Sequence, residues 1–181
     1  GSGQTGSVAA TGSLTVGGSA VAVTISGGNA TLTNLGSIIQ SGTGRVVRDN
    51  TGVSGLVITN GGAANSTALM QSADADVIQM NKPPAGVTLN NYGTITSLNA
   101  SKGGAQAVDF TAILSGGNTI NNYSTGLIQA RDADAVRPGA NGLVVPCGKV
   151  MTQFFCNARV ISRVSAGSSP LLISPVSDFQ V

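Results

Sequence analysis

From Leu32 onward the apolar residues of this chain recur in steps of two within short runs, and the runs themselves return about every 30 residues. Four segments align: "LTNLGSI" from Leu32, "ITNGGAA" from Ile58, "LNNYGTI" from Leu89 and "INNYSTGLI" from Ile120. Each places an asparagine two positions after an aliphatic residue, giving Asn34, Asn60, Asn91 and Asn122. A second element follows in each copy, "GRVVRD", "ADVIQM", "AQAVDF" and "ADAVRP", with aliphatic residues at Val47, Ile78, Val108 and Val136. Leu89, Asn91, Gly93 and Ile95 fall on one face of a strand, and Asn90, Tyr92 and Thr94 on the other. No segment sustains the three-and-four spacing of an amphipathic helix, and Gly, Asn, Ser and Pro clusters punctuate the runs as turns.

A unit of two or three short strands has no second layer to cover its apolar face. Stacking the units solves this, each pairing its backbone with the next. The pattern therefore predicts an all-β chain, a right-handed parallel β-helix of about four to five coils of roughly 30 residues. Residues 1–142 are expected to form the solenoid, with 1–29 as an N-terminal strand or cap and 30–142 as the repeats. Residues 143–181 read as an atypical last coil or a C-terminal cap. An asparagine on the same side as Leu and Ile is costly when alone. Stacked one per coil, Asn34, Asn60, Asn91 and Asn122 form a ladder in which each amide donates to its neighbour; simple turn capping is the alternative. The glycines beside them are expected to supply the left-handed backbone of a tight corner.

Composition agrees. Charged residues make up 9% of the 181-residue chain, against about 25% in ordinary globular proteins. All the acidic residues are Asp, and neither His nor Trp occurs. The charged side chains that coat a solvated helix are missing, as are imidazole acid–base chemistry and His-ligated zinc. A net charge of +2 offers little to nucleic acid, and no apolar run reaches the roughly 20 residues needed to cross a bilayer as a helix. Without an initiator Met or a signal-like leader, the sequence reads as a mature or trimmed chain. Residues 1–142 hold 24 of the 26 glycines, whereas 143–181 carries the whole positive excess, Cys147 and Cys156. The two cysteines are compatible with one local bridge or with two buried thiols. The tail's Val, Ile, Leu and Phe residues predict that it is ordered and packed on the solenoid. "VVPCGKV" aligns with "LNNYGTI", setting Gly148 on Gly93 and Val150 on Ile95; Ala158–Ser162 is a candidate degenerate copy of the second element.

The alternation of "LNNYGTI" with "AQAVDF", and of "INNYSTGLIQA" with "ADAVRPGANG", resembles the passenger domains of bacterial autotransporters over about residues 30–142. The resemblance implies a secreted or bacterial cell-surface solenoid engaged in adhesion, aggregation or surface coating. The membrane barrel of that family has no counterpart in this sequence. The expected partners are a host or neighbouring-cell surface, glycans or further copies of the chain. Nucleic acid and membrane insertion are not expected.

For chemistry the sequence offers little. Asp74 with Asp76, and Asp132 with Asp134, are spaced to share a strand face. The readings weighed are structural corner residues, a weak calcium site and a carboxylate pair for glycoside chemistry. Arg48, Gln79, Asp109 and Arg137 align in one column, which predicts an Asp109–Arg137 ion pair between coils. Tyr92 and Tyr123 align on the face opposite the asparagines, either as a sugar platform or covering a groove beneath a loop. Glycine pairs such as Gly61-Gly62 lack the strand–loop–helix setting of a phosphate loop and read as turns. No catalytic residue, cofactor or metal site is assigned. The candidate binding surface is Tyr92, Tyr123, Asp76 and Asp134. The expected function is that of an exported, non-enzymatic surface protein in adhesion or surface assembly. A structural subunit of an extracellular filament is the alternative, and a polysaccharide-binding or -cleaving β-helix the third.

Overall fold

The structure is a computed structural model that describes residues 2–82, 86–115, 117–146 and 148–152. Cys147, Cys156 and residues 153–181 lie outside the described residues, so the cysteine pairing and the docking of the tail do too. Every regular element described is a strand.

The first coil contains β1 (Thr5–Val8), β2 (Ser13–Val16) and β3 (Val23–Ile25). The second holds β4 (Thr31–Asn34), β5 (Ser37–Gln40) and β6 (Val47–Asp49), and the third β7 (Val57–Asn60), β8 (Leu69–Ser72) and β9 (Ile78–Met80). The fourth coil has β10 (Thr88–Asn91), β11 (Thr94–Ser97) and β12 (Val108–Asp109), and the fifth β13 (Thr119–Asn122), β14 (Leu127–Ala130) and β15 (Val136–Arg137). Strands β16 (Leu143–Pro146) and β17 (Lys149–Thr152) continue the stack. Equivalent strands of successive coils pair in parallel, giving two six-stranded sheets and one five-stranded sheet. This is a parallel β-helix.

Residues 5–25, within the segment expected as a strand or cap, contribute a strand to all three sheets. At the other end, Val144 pairs with Ile120 and Val150 with Ile128, which is the register in which "VVPCGKV" overlies the repeats.

The registers carry like residues onto like. Leu32, Ile58, Leu89 and Ile120 stack in one interior column, and Ile38, Met70, Ile95 and Ile128 in a second. Val47, Ile78 and Val108 form a third. All of these side chains are buried, and together they line one continuous core. Removing each from water contributes about 1.5–3 kcal/mol, so the core holds the coils in register. Slipping a strand by one residue would turn its Leu or Ile outward and its Thr or Asn inward.

Candidate functional site

The asparagine column lies where the first sheet turns into the second. Asn34, Asn60, Asn91 and Asn122 occupy equivalent Cα-paired positions and are fully buried or nearly so. Asn34 Nδ2 donates to Asn60 Oδ1 at 2.8 Å, Asn60 Nδ2 to Asn91 Oδ1 at 2.9 Å, and Asn91 Nδ2 to Asn122 Oδ1 at 2.7 Å. The second proton of each amide reaches the backbone one coil ahead: Leu69 O, Thr94 O, Leu127 O and Lys149 O accept from Asn34, Asn60, Asn91 and Asn122 at 3.0–3.2 Å. The ladder therefore runs in one direction. Its first rung has Val8 as neighbour on the preceding coil, and Asn34 Oδ1 is buried without a partner.

The role expected of the neighbouring glycines is corrected. Gly36, Gly93 and Gly126 are not left-handed; beside the ladder only Gly61 is, at φ 80°. Close approach is the reason for glycine here. A Cβ on Gly36 would overlap Gly12 O, one on Gly93 would overlap Ala68 O, and one on Gly126 would overlap Asn122 Oδ1. A side chain at these places would push apart the coils that the amides join.

Tyr92 and Tyr123 follow the last two asparagines directly. Their rings stack on one another, centroids 4.0 Å apart and planes within 4°. The Tyr92 hydroxyl donates towards the Tyr123 side chain, which is the main cause that holds the Tyr92 phenol above its ordinary pKa. Beneath Tyr92 the column continues into Gly61, where a Cβ would lie 2.7 Å from Asn65 O and 3.2 Å from Tyr92 Cβ. The loop after Gly61 folds back through a Gly62–Asn65 bridge, and Asn65 Nδ2 donates to Leu35 O at 2.8 Å.

The aspartate pairs are separated by the corner that holds them. Asp74 and Asp76 lie in a bend before β9, not in a strand; Asp74 is exposed while Asp76 is 5% exposed. Asp132 and Asp134 occupy the matching bend before β15. Asp74 and Asp76 do not share an exposed face, which corrects the spacing argument for that pair; Asp132 and Asp134 line one pocket with Lys102 and Arg137. A strand alternates strictly, whereas a bend rotates each side chain independently. Asp76 Oδ1 accepts the Gln106 N–H from the next coil at 2.8 Å. Its Oδ2 accepts from Gln79 Nε2 at 2.8 Å and lies 3.7 Å from Arg45 Nε of the preceding coil. Burial raises the Asp76 pKa and Asp109 adds to the rise; the Gln106 N–H, Arg45 and Arg137 oppose it.

Arg48, Gln79, Asp109 and Arg137 do pair in one column on the outside of the third sheet. The ion pair expected between the last two is absent. Arg137 Nε instead bonds Asp134 Oδ2, three residues back, at 2.9 Å, while Asp109 Oδ1 accepts from the N–H and Oγ1 of Thr111. Local partners along the chain reach these groups before the neighbouring coil does.

Sequence reasoning missed the companion column of Arg45, Asp76, Gln106 and Asp134, each two positions before the aligned Val47, Ile78, Val108 and Val136. The signal was present in the alignment of the second elements. It was hidden because three different residue types share the place.

No protein-family model, curated protein or solved structure matches this chain.

Proposed function

We propose that this protein is an exported, non-enzymatic surface β-helix, similar to autotransporter passengers, that works in adhesion or surface assembly through its outer faces. The observation that carries the reading is the commitment of every described carboxylate to bracing the chain. Asp49 accepts from the backbone of Thr51, Gly52 and Val53. Asp74 accepts from Asn99, and Asp109 from Thr111. Asp76 joins three coils, while Asp132 and Asp134 pair with Arg131 and Arg137. General acid–base work needs two carboxyls set across a bond with their pKa values driven apart, and each of these is engaged by a neighbour of its own.

Outward the fold presents polar rows, interrupted by exposed apolar residues such as Leu98, Leu114 and Met151. On the first sheet it carries Thr31, Thr33, Thr59, Thr88, Asn90, Thr119 and Asn121, with Asn121 Nδ2 donating to Asn90 Oδ1 at 2.9 Å. Such a face binds through many weak polar contacts. The test coats beads with the purified chain, counts their attachment to bacterial and glycan-coated surfaces, and incubates the same protein with neutral and acidic polysaccharides. Attachment without depolymerisation is the expected result. Turnover lost in Asp76→Asn would overturn the reading in favour of the cleaving β-helix. Concentration-dependent fibres in light scattering, without attachment, would favour the filament subunit.

A further inference from the structure

The chain contains two Asn–Gly dipeptides, Asn60–Gly61 and Asn141–Gly142, and the fold treats them oppositely. Such a pair is where a side-chain amide is most open to attack by its own backbone, because the following Gly puts no Cβ beside the attacking nitrogen. Asn60 is a fully buried rung of the ladder. Its side chain accepts from Asn34 Nδ2 and donates to Asn91 Oδ1 and Thr94 O, while the Gly61 N–H donates to Asn34 O at 2.8 Å. Amide and attacking nitrogen are both held. Asn141 stands instead in the exposed turn that leads from β15 into β16. Its side chain forms no hydrogen bond with any described residue. The Gly142 N–H reaches only Gly139 O, at 3.3 Å, longer than an ordinary backbone bond.

The turn itself calls for this pair. Asn141 has φ 53° at the third of the four turn residues, a place that favours Gly or Asn. At Gly142 a Cβ would overlap Pro138 O, so no larger residue shields the amide. We propose that Asn141–Gly142 is a site of spontaneous deamidation and backbone isomerisation, with water as the only co-reactant. The Gly142 nitrogen attacks Asn141 Cγ, and its proton leaves with the amide nitrogen as ammonia. A five-membered succinimide remains, and water opens it at either carbonyl. One opening leaves an ordinary aspartate at position 141. The other leaves isoaspartate, in which the main chain runs through the former side chain and is one carbon longer. The extra atom enters just before Leu143, whose N–H donates to Asn118 O at 2.9 Å and begins the pairing of β16 with β13. Isoaspartate therefore loosens the start of β16, which the new charge alone does not. The site goes beyond the surface-protein reading and does not depend on it.

The test stores the purified full chain in mildly alkaline buffer and follows it by peptide mass mapping, with enzymatic methylation to mark isoaspartate. Asn141 is expected to convert at least about a hundredfold faster than Asn60 in the folded chain, because Asn60 reacts only when its coils open. In concentrated urea the two are expected to convert at comparable rates. Hydrogen exchange at the Leu143 amide is expected to quicken in the isoaspartate fraction and to stay at the wild-type rate in freshly prepared Asn141→Asp. Asn141→Gly keeps the left-handed turn and has no amide to lose, so its Leu143 exchange is expected to hold steady through the same storage. A folded chain in which Asn141 persists as long as Asn60 overturns the site. Equal Leu143 exchange in the isoaspartate fraction and the unconverted chain, or the same quickening in stored Asn141→Gly, overturns the loosening of β16.

Discussion

The Asn34–Asn60–Asn91–Asn122 column and the Arg48–Gln79–Asp109–Arg137 column climb the same stack, one inside a corner and the other on the outside of the third sheet. In the first, one residue type recurs and each interior rung bonds the rungs before and after it. In the second, four rungs hold three residue types, and bonds run along the chain to Asp76, Thr111 and Asp134 instead of between coils. An amide is both donor and acceptor, so copies of it satisfy one another at any length of stack. A guanidinium only donates and a carboxylate only accepts, so a charged column needs the opposite partner on each neighbouring coil. The amide column leaves one acceptor unpartnered, Asn34 Oδ1 at its first rung, whereas the charged region leaves Arg45 Nε, Arg48 Nε and Gln79 Oε1. Repetition of a self-complementary group pairs its own polar atoms; departure from it leaves buried polar atoms unpaired.

The comparison breaks most sharply at a middle rung. Asn91→Ala removes the acceptor of Asn60, the donor to Asn122 and the bond to Leu127 O in one step. Urea unfolding is expected to show a loss of about 3 kcal/mol, more than alanine at any position of the outer column. Gly93→Ala tests the close approach beside the ladder, since its Cβ would overlap the Ala68 carbonyl and lie 3.1 Å from Asn60 Nδ2. A loss of about 2 kcal/mol is expected in the same measurement.

Asp76→Asn probes the charged region through pH. Because burial raises the Asp76 pKa in the folded chain, the proton is held more tightly folded than unfolded. Its contribution to stability is complete below the unfolded carboxylate pKa, about 4, and is lost as pH rises through the folded value. The stability of wild type relative to Asp76→Asn should therefore fall as pH rises above about 4. A difference that grows over this range would show that Arg45 and the Gln106 N–H outweigh burial. The smallest effect is a gain. Val8→Asn adds a rung before Asn34 and offers a donor to Asn34 Oδ1, and about 0.5–1 kcal/mol of added stability is expected from thermal unfolding.

The repeat was legible because Leu, Ile and Val at every second position have only one way to be covered. The asparagines were legible because a polar residue recurring in an apolar column needs copies of itself. The corners were harder to read. Asp74 and Asp76 suggested one face by their spacing, yet only Asp76 is buried, because the bend between them does not alternate. Gly93 suggested a left-handed residue, yet its place is set by Ala68 O on another coil.

The sequence by itself determined the period of the solenoid, the Leu32–Ile58–Leu89–Ile120 and Val47–Ile78–Val108 columns and the register of Val150 over Ile128, but in the second column Met70 stands where the aligned repeats put Ala64, because the loop after Gly61 delays that strand. Those features follow from which residues avoid water and how often they recur, and both are written along the chain. The tertiary structure alone decided which partner each polar side chain takes: Asp134 for Arg137, Gln106 N–H for Asp76, and none for Arg48 Nε. Hydrogen bonds depend on distances of a few tenths of an ångström and on angles, and these emerge only once the coils are stacked.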